Sequence, residues 1–364
     1  MLALATTHGY WNLQTLWFFL IAVLWIGYFV LEGFDFGVGM LLPFVGRDTA
    51  ERTTLIRTIG PVWDGNEVWL LVAGGATFAA FPGWYASLFS GFYLALFLVL
   101  VGLIVRGVAI EYRNKRTDEH WRARWDRILA VSSAVPALLW GVAFADVVGG
   151  VPTDASGQVT ASLLDLLGPY ALFGGVTSLV LFAFHGALFL DLRTTGELEA
   201  RGNEAARRLA LPAALLVLGF LAWTYANAVG GNGKGIVPGI IPIAAICLPF
   251  AAGALVRAGK TGWAFAATAG SIGLVTLTLF LNLYPRVIVS STNNAFSPTI
   301  FTTSSSHYTL TVMSVVALVF TPIVLLYQSW TYWVFRARLG DPDAAEVRTP
   351  GDLLARTPLG KQSG

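Results

Sequence analysis

Charge is scarce in this 364-residue chain: Asp, Glu, Lys and Arg make up 12% of it, against 55% hydrophobic residues, and the mean hydropathy is +0.67. A water-soluble domain needs far more polar surface, so the composition excludes that class and leaves a helical membrane protein whose exterior meets lipid. Cysteine is nearly absent. The single Cys247 lies in an apolar run, which excludes disulfides and any CxxC redox or metal site. Also missing are a phosphate-binding glycine loop, a Ser/His/Asp constellation and HExxH zinc spacing. Net charge is only +2, and the basic residues lie in short segments between apolar runs rather than in a groove-like patch, which argues against nucleic acid as a partner. The chain starts without the basic stretch and small-residue cleavage site of a signal peptide, so its first apolar run is expected to be a retained span.

What the chain has instead is long apolar runs. A transmembrane helix needs about 20 mostly apolar residues. Eight stretches meet this easily: Leu16–Phe44, Tyr85–Val108, Ile128–Val148, Leu167–Leu190, Leu209–Val229, Ile236–Val256, Trp263–Tyr284 and Tyr308–Trp333. A ninth, Val62–Phe81, carries Asp64, Asn66 and Glu67 at its start, so hydropathy alone leaves it undecided. Charge decides it. With nine spans and the N-terminus outside, 21 of the 23 Lys and Arg residues fall on the cytoplasmic side, and only Lys234 and Arg286 fall outside. Dropping the ninth candidate strands Arg47, Arg52 and Arg57 on the wrong side. The expected architecture is therefore an all-α polytopic bundle of nine transmembrane helices, N-terminus outside and C-terminus cytoplasmic. It forms one domain over residues 1–340, followed by a polar tail, 341–364, expected to be disordered. The longest outer segments, Gly149–Asp165 and Arg286–His307, are rich in Gly, Ser, Thr and Asn.

Haem ligation within a bundle needs His, Met or Cys at membrane depth. Of His8, His120, His185 and His307, only His185 falls within an apolar span, near its inner end, and Met40 and Met313 are the internal methionines. One buried His anchors at most one haem and more often bonds to a neighbour, so His185 is not expected to be a haem ligand and no metal site is expected. The acids carry more information. Glu32 and Asp35 lie three apart, on one helical face, with apolar residues on both sides. An ionisable group at that depth is costly unless paired, protonated or wet, so function is the default reading, with solvation from the inner surface as the alternative. Gly33, Gly37 and Gly39 beside them mark close helix packing. Asp64 and Glu67 match a capping box at a helix start, yet the apolar run Val68–Phe81 follows at once, so they also suit proton-accessible acids. Trp63 and Trp69 fit an interfacial belt. Arg106 and Glu111 are expected to pair at an inner helix end, Arg106 snorkelling. Asp146 and Asp191, at helix ends, are expected to be solvated.

These same residues carry a resemblance. The strings Glu32-Gly-Phe-Asp-Phe-Gly37, Pro61-Val-Trp-Asp-Gly-Asn-Glu-Val-Trp-Leu70, Phe89-Ser-Gly-Phe-Tyr93 and Arg106 through Glu111-Tyr-Arg113 closely resemble, in order and spacing, subunit II of cytochrome bd-type quinol oxidases. The resemblance is strongest over about residues 17–150, and the nine-helix layout extends it to about residue 340. It implies a bacterial cytoplasmic-membrane complex that oxidises ubiquinol or menaquinol and reduces dioxygen to water. It implies a partner, subunit I, that holds two b-type haems and one d-type haem. Small single-span accessory subunits and a structural quinone belong to some members. By the same resemblance the acid in Trp63-Asp64-Gly65 belongs to a cytoplasmic proton route, with Asp64 as main carrier and Glu32, Asp35 and Glu67 in support. Two other functions fit the intramembrane carboxylates: a proton-coupled transporter with a helix broken at Gly65 and Asn66, or a scaffold whose acids serve only as caps. A second matching set of acids, as a transporter built on repeats would have, is missing later in the chain.

Overall fold

A computed structural model describes residues 12–230 and 239–340, so the expected disordered tail, His8 and Lys234 lie outside the described residues. Among the described residues there are twelve α-helices, three single 3-10 turns and no strand beyond isolated bridges. In chain order the helices are α1 (Leu13–Val45), α2 (Thr49–Ile59), α3 (Trp63–Ala80), α4 (Pro82–Gly91), α5 (Tyr93–Tyr112), α6 (Glu119–Gly149), α7 (Pro169–Arg193), α8 (Gly196–Gly230), α9 (Ile240–Arg257), α10 (Thr261–Leu283), α11 (Ile300–Thr303) and α12 (His307–Val334).

Eight of these, α1, α5 to α10 and α12, are long and apolar enough to cross a membrane. The chain is a membrane-integral helical bundle. Where the ninth span was expected stands the 18-residue α3, about 27 Å long at 1.5 Å per residue, which is too polar to stand among the eight. The stretch expected as one span from Tyr85 is two helices, broken at Phe92, where Gly91 lies against Val159. α6 and α8 begin well before their apolar runs, because polar helix formers extend them. α6 opens on Asp118, whose carboxylate accepts from the Trp121 amide at 2.9 Å.

Which segments meet at each end of the bundle follows from the hydrogen bonds. At one end, rich in Arg, α2 is clamped to the starts of α6 and α8. Arg113 pairs with Asp126, Arg52 reaches Asp126 at 3.3 Å, and Arg201 reaches Glu51 at 3.0 Å. The chain after α12 returns to this end, where Leu339 N–H donates to Arg193 O at 2.8 Å. At the opposite end the two Gly/Ser/Thr/Asn-rich loops form one cap. Val151 N–H donates to Val289 O at 3.0 Å and Ser291 N–H to Val151 O at 2.9 Å. The end of α3 belongs to this capped side, since Ser305 N–H donates to Ala80 O at 2.9 Å. α3 therefore runs from the Arg-rich end to the capped end.

The interior forms around α1, which packs on α3, α7 and α6. Its crossing with α7 is a backbone contact: a Cβ on Gly37 would stand 2.7 Å from Gly186 Cα. Gly33 lies against Phe182 and Gly39 against Ser133, so this glycine set serves packing within the chain. The consequence is that residues 32–42 of α1 are all buried.

Candidate functional site

Glu32 and Asp35, on the side of α1 that faces α5 and α3, are both at 0% exposure in this chain. The alternative of solvation from the inner surface is thereby overturned. Arg106 of α5, also at 0%, projects into the same space. Its Nη1 donates to Glu32 Oε1 and, at 2.8 Å, to Glu67 Oε1 of α3, while the ring of Phe36 lies 5.1 Å from its guanidinium carbon. Arg106 is thus no snorkelling residue, and its expected pairing with Glu111 does not form. Five residues on a helix is about 140° of rotation, so Glu111 faces outward and is exposed.

Asp35 is held differently. Asn66 of α3 donates to its Oδ2 at 2.6 Å, and Asn66 Oδ1 in turn accepts from Gln328 Nε2 at 3.1 Å and from the Tyr332 hydroxyl at 2.8 Å, both on α12. Glu32 Oε2, Asp35 Oδ1, Arg106 Nε and Arg106 Nη2 are buried with no hydrogen-bond partner among the described residues. Polar atoms left so in an apolar bundle are costly, and they cluster where function demands it.

The start of α3 grades from outside to inside. Asp64 and Gly65 are exposed, Glu67 keeps 22% side-chain exposure, and Asn66 is fully buried. The capping-box expectation fails: α3 begins at Trp63 after Val62, without a side-chain cap, and Asp64 sits inside the first turn. A carboxylate there favours the helix dipole and leaves both oxygens to solvent. Trp63 is half-buried and packs beside Gly107.

His185 is fully buried, but both ring nitrogens are engaged: Nδ1 with Thr268 Oγ1 at 2.6 Å and Nε2 with Val30 O at 3.2 Å. The carbonyl requires Nε2–H, and the Thr268 hydroxyl that meets Nδ1 also reaches Phe265 O at 2.9 Å. The imidazole stacks on Phe265 at 4.3 Å and ties α1, α7 and α10 together. Among the described residues, no group of three or more His, Cys, Asp and Glu side chains is placed to hold a metal ion. Asp146 and Asp191 are buried rather than solvated, at 7% and 5% exposure. Asp191 accepts from Asn203 and Thr261, both at 2.7 Å.

Sequence reasoning missed the Asn66 fork and the Arg113–Asp126–Arg52 clamp. The available signal was Gln328 and Tyr332, one turn apart in a long hydrophobic helix.

Comparison with known proteins adds three findings. A family described as cytochrome bd terminal oxidase subunit II matches residues 13–335. Cytochrome bd ubiquinol oxidase subunit 2 of Bacillus subtilis is 42% identical over 331 residues, covering 90% of this chain and 97% of the relative. Cytochrome bd-I ubiquinol oxidase subunit 2 of Escherichia coli K12 is 37% identical over 365 residues, covering 91% and 96%. Among solved structures, a chain of the bd oxidase from Geobacillus thermodenitrificans superposes with a TM-score of 0.67 at 16% identity, over 89% of this chain and 99% of that one. That likeness speaks for the fold.

Proposed function

This chain belongs to the cytochrome bd terminal oxidase subunit II family, and from that membership we propose that its part in the quinol oxidase is to carry protons inward for the reduction of dioxygen. The observation that carries the proposal is the graded series of acids: Asp64 exposed, Glu67 partly buried, Glu32 and Asp35 fully buried, with Glu67 and Glu32 both paired to Arg106. Glu32 and Glu67 pair with one guanidinium, and Asp35 nearby is bonded only to the neutral Asn66 amide, so full ionisation of the three would leave two negative charges uncompensated in apolar surroundings. Binding a proton costs far less than that, which makes the cluster a proton holder. Asp64 collects the proton at the α3 surface, Glu67 passes it beneath, and the unpartnered oxygens of Glu32 and Asp35 receive it.

The haems belong to subunit I, the partner. The donor chemistry here agrees, since His185, the fully buried imidazole, has both nitrogens committed to Val30 and Thr268. The oxidation of quinol, either ubiquinol or menaquinol, and any structural quinone or small accessory subunit are assigned to the complex on the same family reading.

The setting is the bacterial cytoplasmic membrane, with nine spans in one domain over residues 1–340, the N-terminus outside and the C-terminus cytoplasmic. Support for the ninth span is that α3 leaves the Arg-rich end and reaches Ser305 at the capped end. Support for the orientation is the Lys and Arg bias itself.

The test is Asp64→Asn in the assembled complex. Oxygen consumption with excess quinol should fall at least tenfold while subunit I co-purifies with unchanged haem bands. Wild-type turnover in that variant overturns the assignment.

A further inference from the structure

The last membrane helix, α12, packs loosely: of its 28 residues only Leu310 is fully buried. Yet two of its side chains, one turn apart, converge on a single atom of the buried site. Gln328 Nε2 and the Tyr332 hydroxyl both donate to Asn66 Oδ1, at 3.1 and 2.8 Å. Because the Asp35 carboxylate can only accept when ionised, the network as a whole, Asp35 on one side and these two groups on the other, sets the Asn66 oxygen towards α12. The nitrogen is then left facing Asp35, where it donates to Oδ2 at 2.6 Å. An amide N–H in that place favours the ionised carboxylate and cannot itself take up a proton.

We infer that Gln328 and Tyr332 are positioning residues of the proton route: they lock Asn66 as a donor to Asp35, so that Asp35 stays an acceptor at Oδ1, the oxygen that no side chain among the described residues bonds. The same lock closes the α12 side of the site, because an amide does not relay protons. The inference rests on the proton-delivery reading of this cluster and names the part of the fold that sets its direction.

The charged and titratable groups around Asp35 are few. Glu32 shares its helix, Arg106 comes from α5, Glu67 from α3 and Tyr332 from α12. From α7, Arg193 lies towards Tyr332, and His185 is committed to Val30 and Thr268. With both α12 donors gone, Asn66 is free to turn over and present its oxygen to Asp35, which favours the protonated carboxyl instead.

The experiment uses the whole complex carrying Tyr332→Phe with Gln328→Leu, both conservative in volume on a peripheral helix. The pH profile of oxygen consumption should move towards alkaline pH by about one unit, a tenfold change in proton affinity. The carboxyl C=O band in the infrared spectrum that Asp35→Asn removes should gain intensity at neutral pH. Asn66→Leu should cause a similar displacement, and adding the two α12 changes to it should do nothing more. An unmoved profile together with an unmoved Asp35 band overturns the inference. A moved band with an unmoved profile upholds the lock and overturns the proton-delivery reading instead.

Discussion

The pairing of Arg106 with Glu32 is open to a quantitative test, because both side chains are at 0% exposure. Removing one member of a fully buried ion pair leaves its partner uncompensated and costs about 3–5 kcal/mol, whereas replacing both by neutral groups of similar volume is close to neutral. Arg106→Met strands Glu32 and should fall at the low end of that range, since Glu32 escapes part of the penalty by binding a proton. Glu32→Gln leaves Arg106 its 2.8 Å bond to Glu67 and should cost about 1.5–3 kcal/mol, the worth of one hydrogen bond to a charged group. The double variant should cost no more than Arg106→Met alone. The coupling energy is then at least about 1.5 kcal/mol. It can be measured by titrating the purified complex with SDS in mixed micelles and following loss of helix. Additivity of the two single changes to within about 0.5 kcal/mol would refute the pairing.

Other predictions follow from the packing and from the Arg-rich end. Gly37→Ala places a methyl against the Gly186 backbone; it should destabilise by about 1–3 kcal/mol or more, as overpacking does, and thermal denaturation of the complex checks it. His185→Ala should cost stability yet leave the haem content of the complex unchanged in a reduced-minus-oxidised spectrum, and loss of one haem would contradict it. The Arg201 guanidinium bonded to Glu51 holds that carboxyl down at about 2. This clamp therefore stabilises the fold fully above the ordinary glutamate range and loses its effect as pH falls towards 2. The stability gap between wild type and Glu51→Gln should accordingly stay constant from neutral pH to about 5 and shrink below about 4, within the carboxylate range.

Hydropathy made eight spans legible, and α3 shows what it leaves open. Its acids lower its mean hydropathy, and the expectation that it crosses rested on the three arginines upstream. Helix ends were less legible, since polar residues such as those opening α6 and α8 continue a helix without adding apolar character. In the site, Glu32 and Asp35 could be read because a spacing of three is local information. Their partners could not be read. Glu67 and Arg106 meet Glu32 across 35 and 74 positions of sequence, and Asn66 meets Tyr332 across 266. The error over Glu111 was also one of geometry: sequence proximity to Arg106 outweighed the turn of the helix. Asp191 was misplaced because Asn203 of α8 and Thr261 of α10, distant in sequence, close over it, which no local pattern reveals.

The central claim, that this subunit feeds protons to the oxygen-reducing partner through Asp64 and the Arg106 cluster, is tested most directly by proton uptake itself. The fully reduced complex, reconstituted in vesicles with a pH dye on the cytoplasmic face, is exposed to a pulse of dioxygen. Wild type should take up protons in step with haem oxidation, and Asp64→Asn should oxidise its haems on the first electron while proton uptake lags at least tenfold. Unchanged uptake in Asp64→Asn, in a complex shown to be intact, would contradict the account.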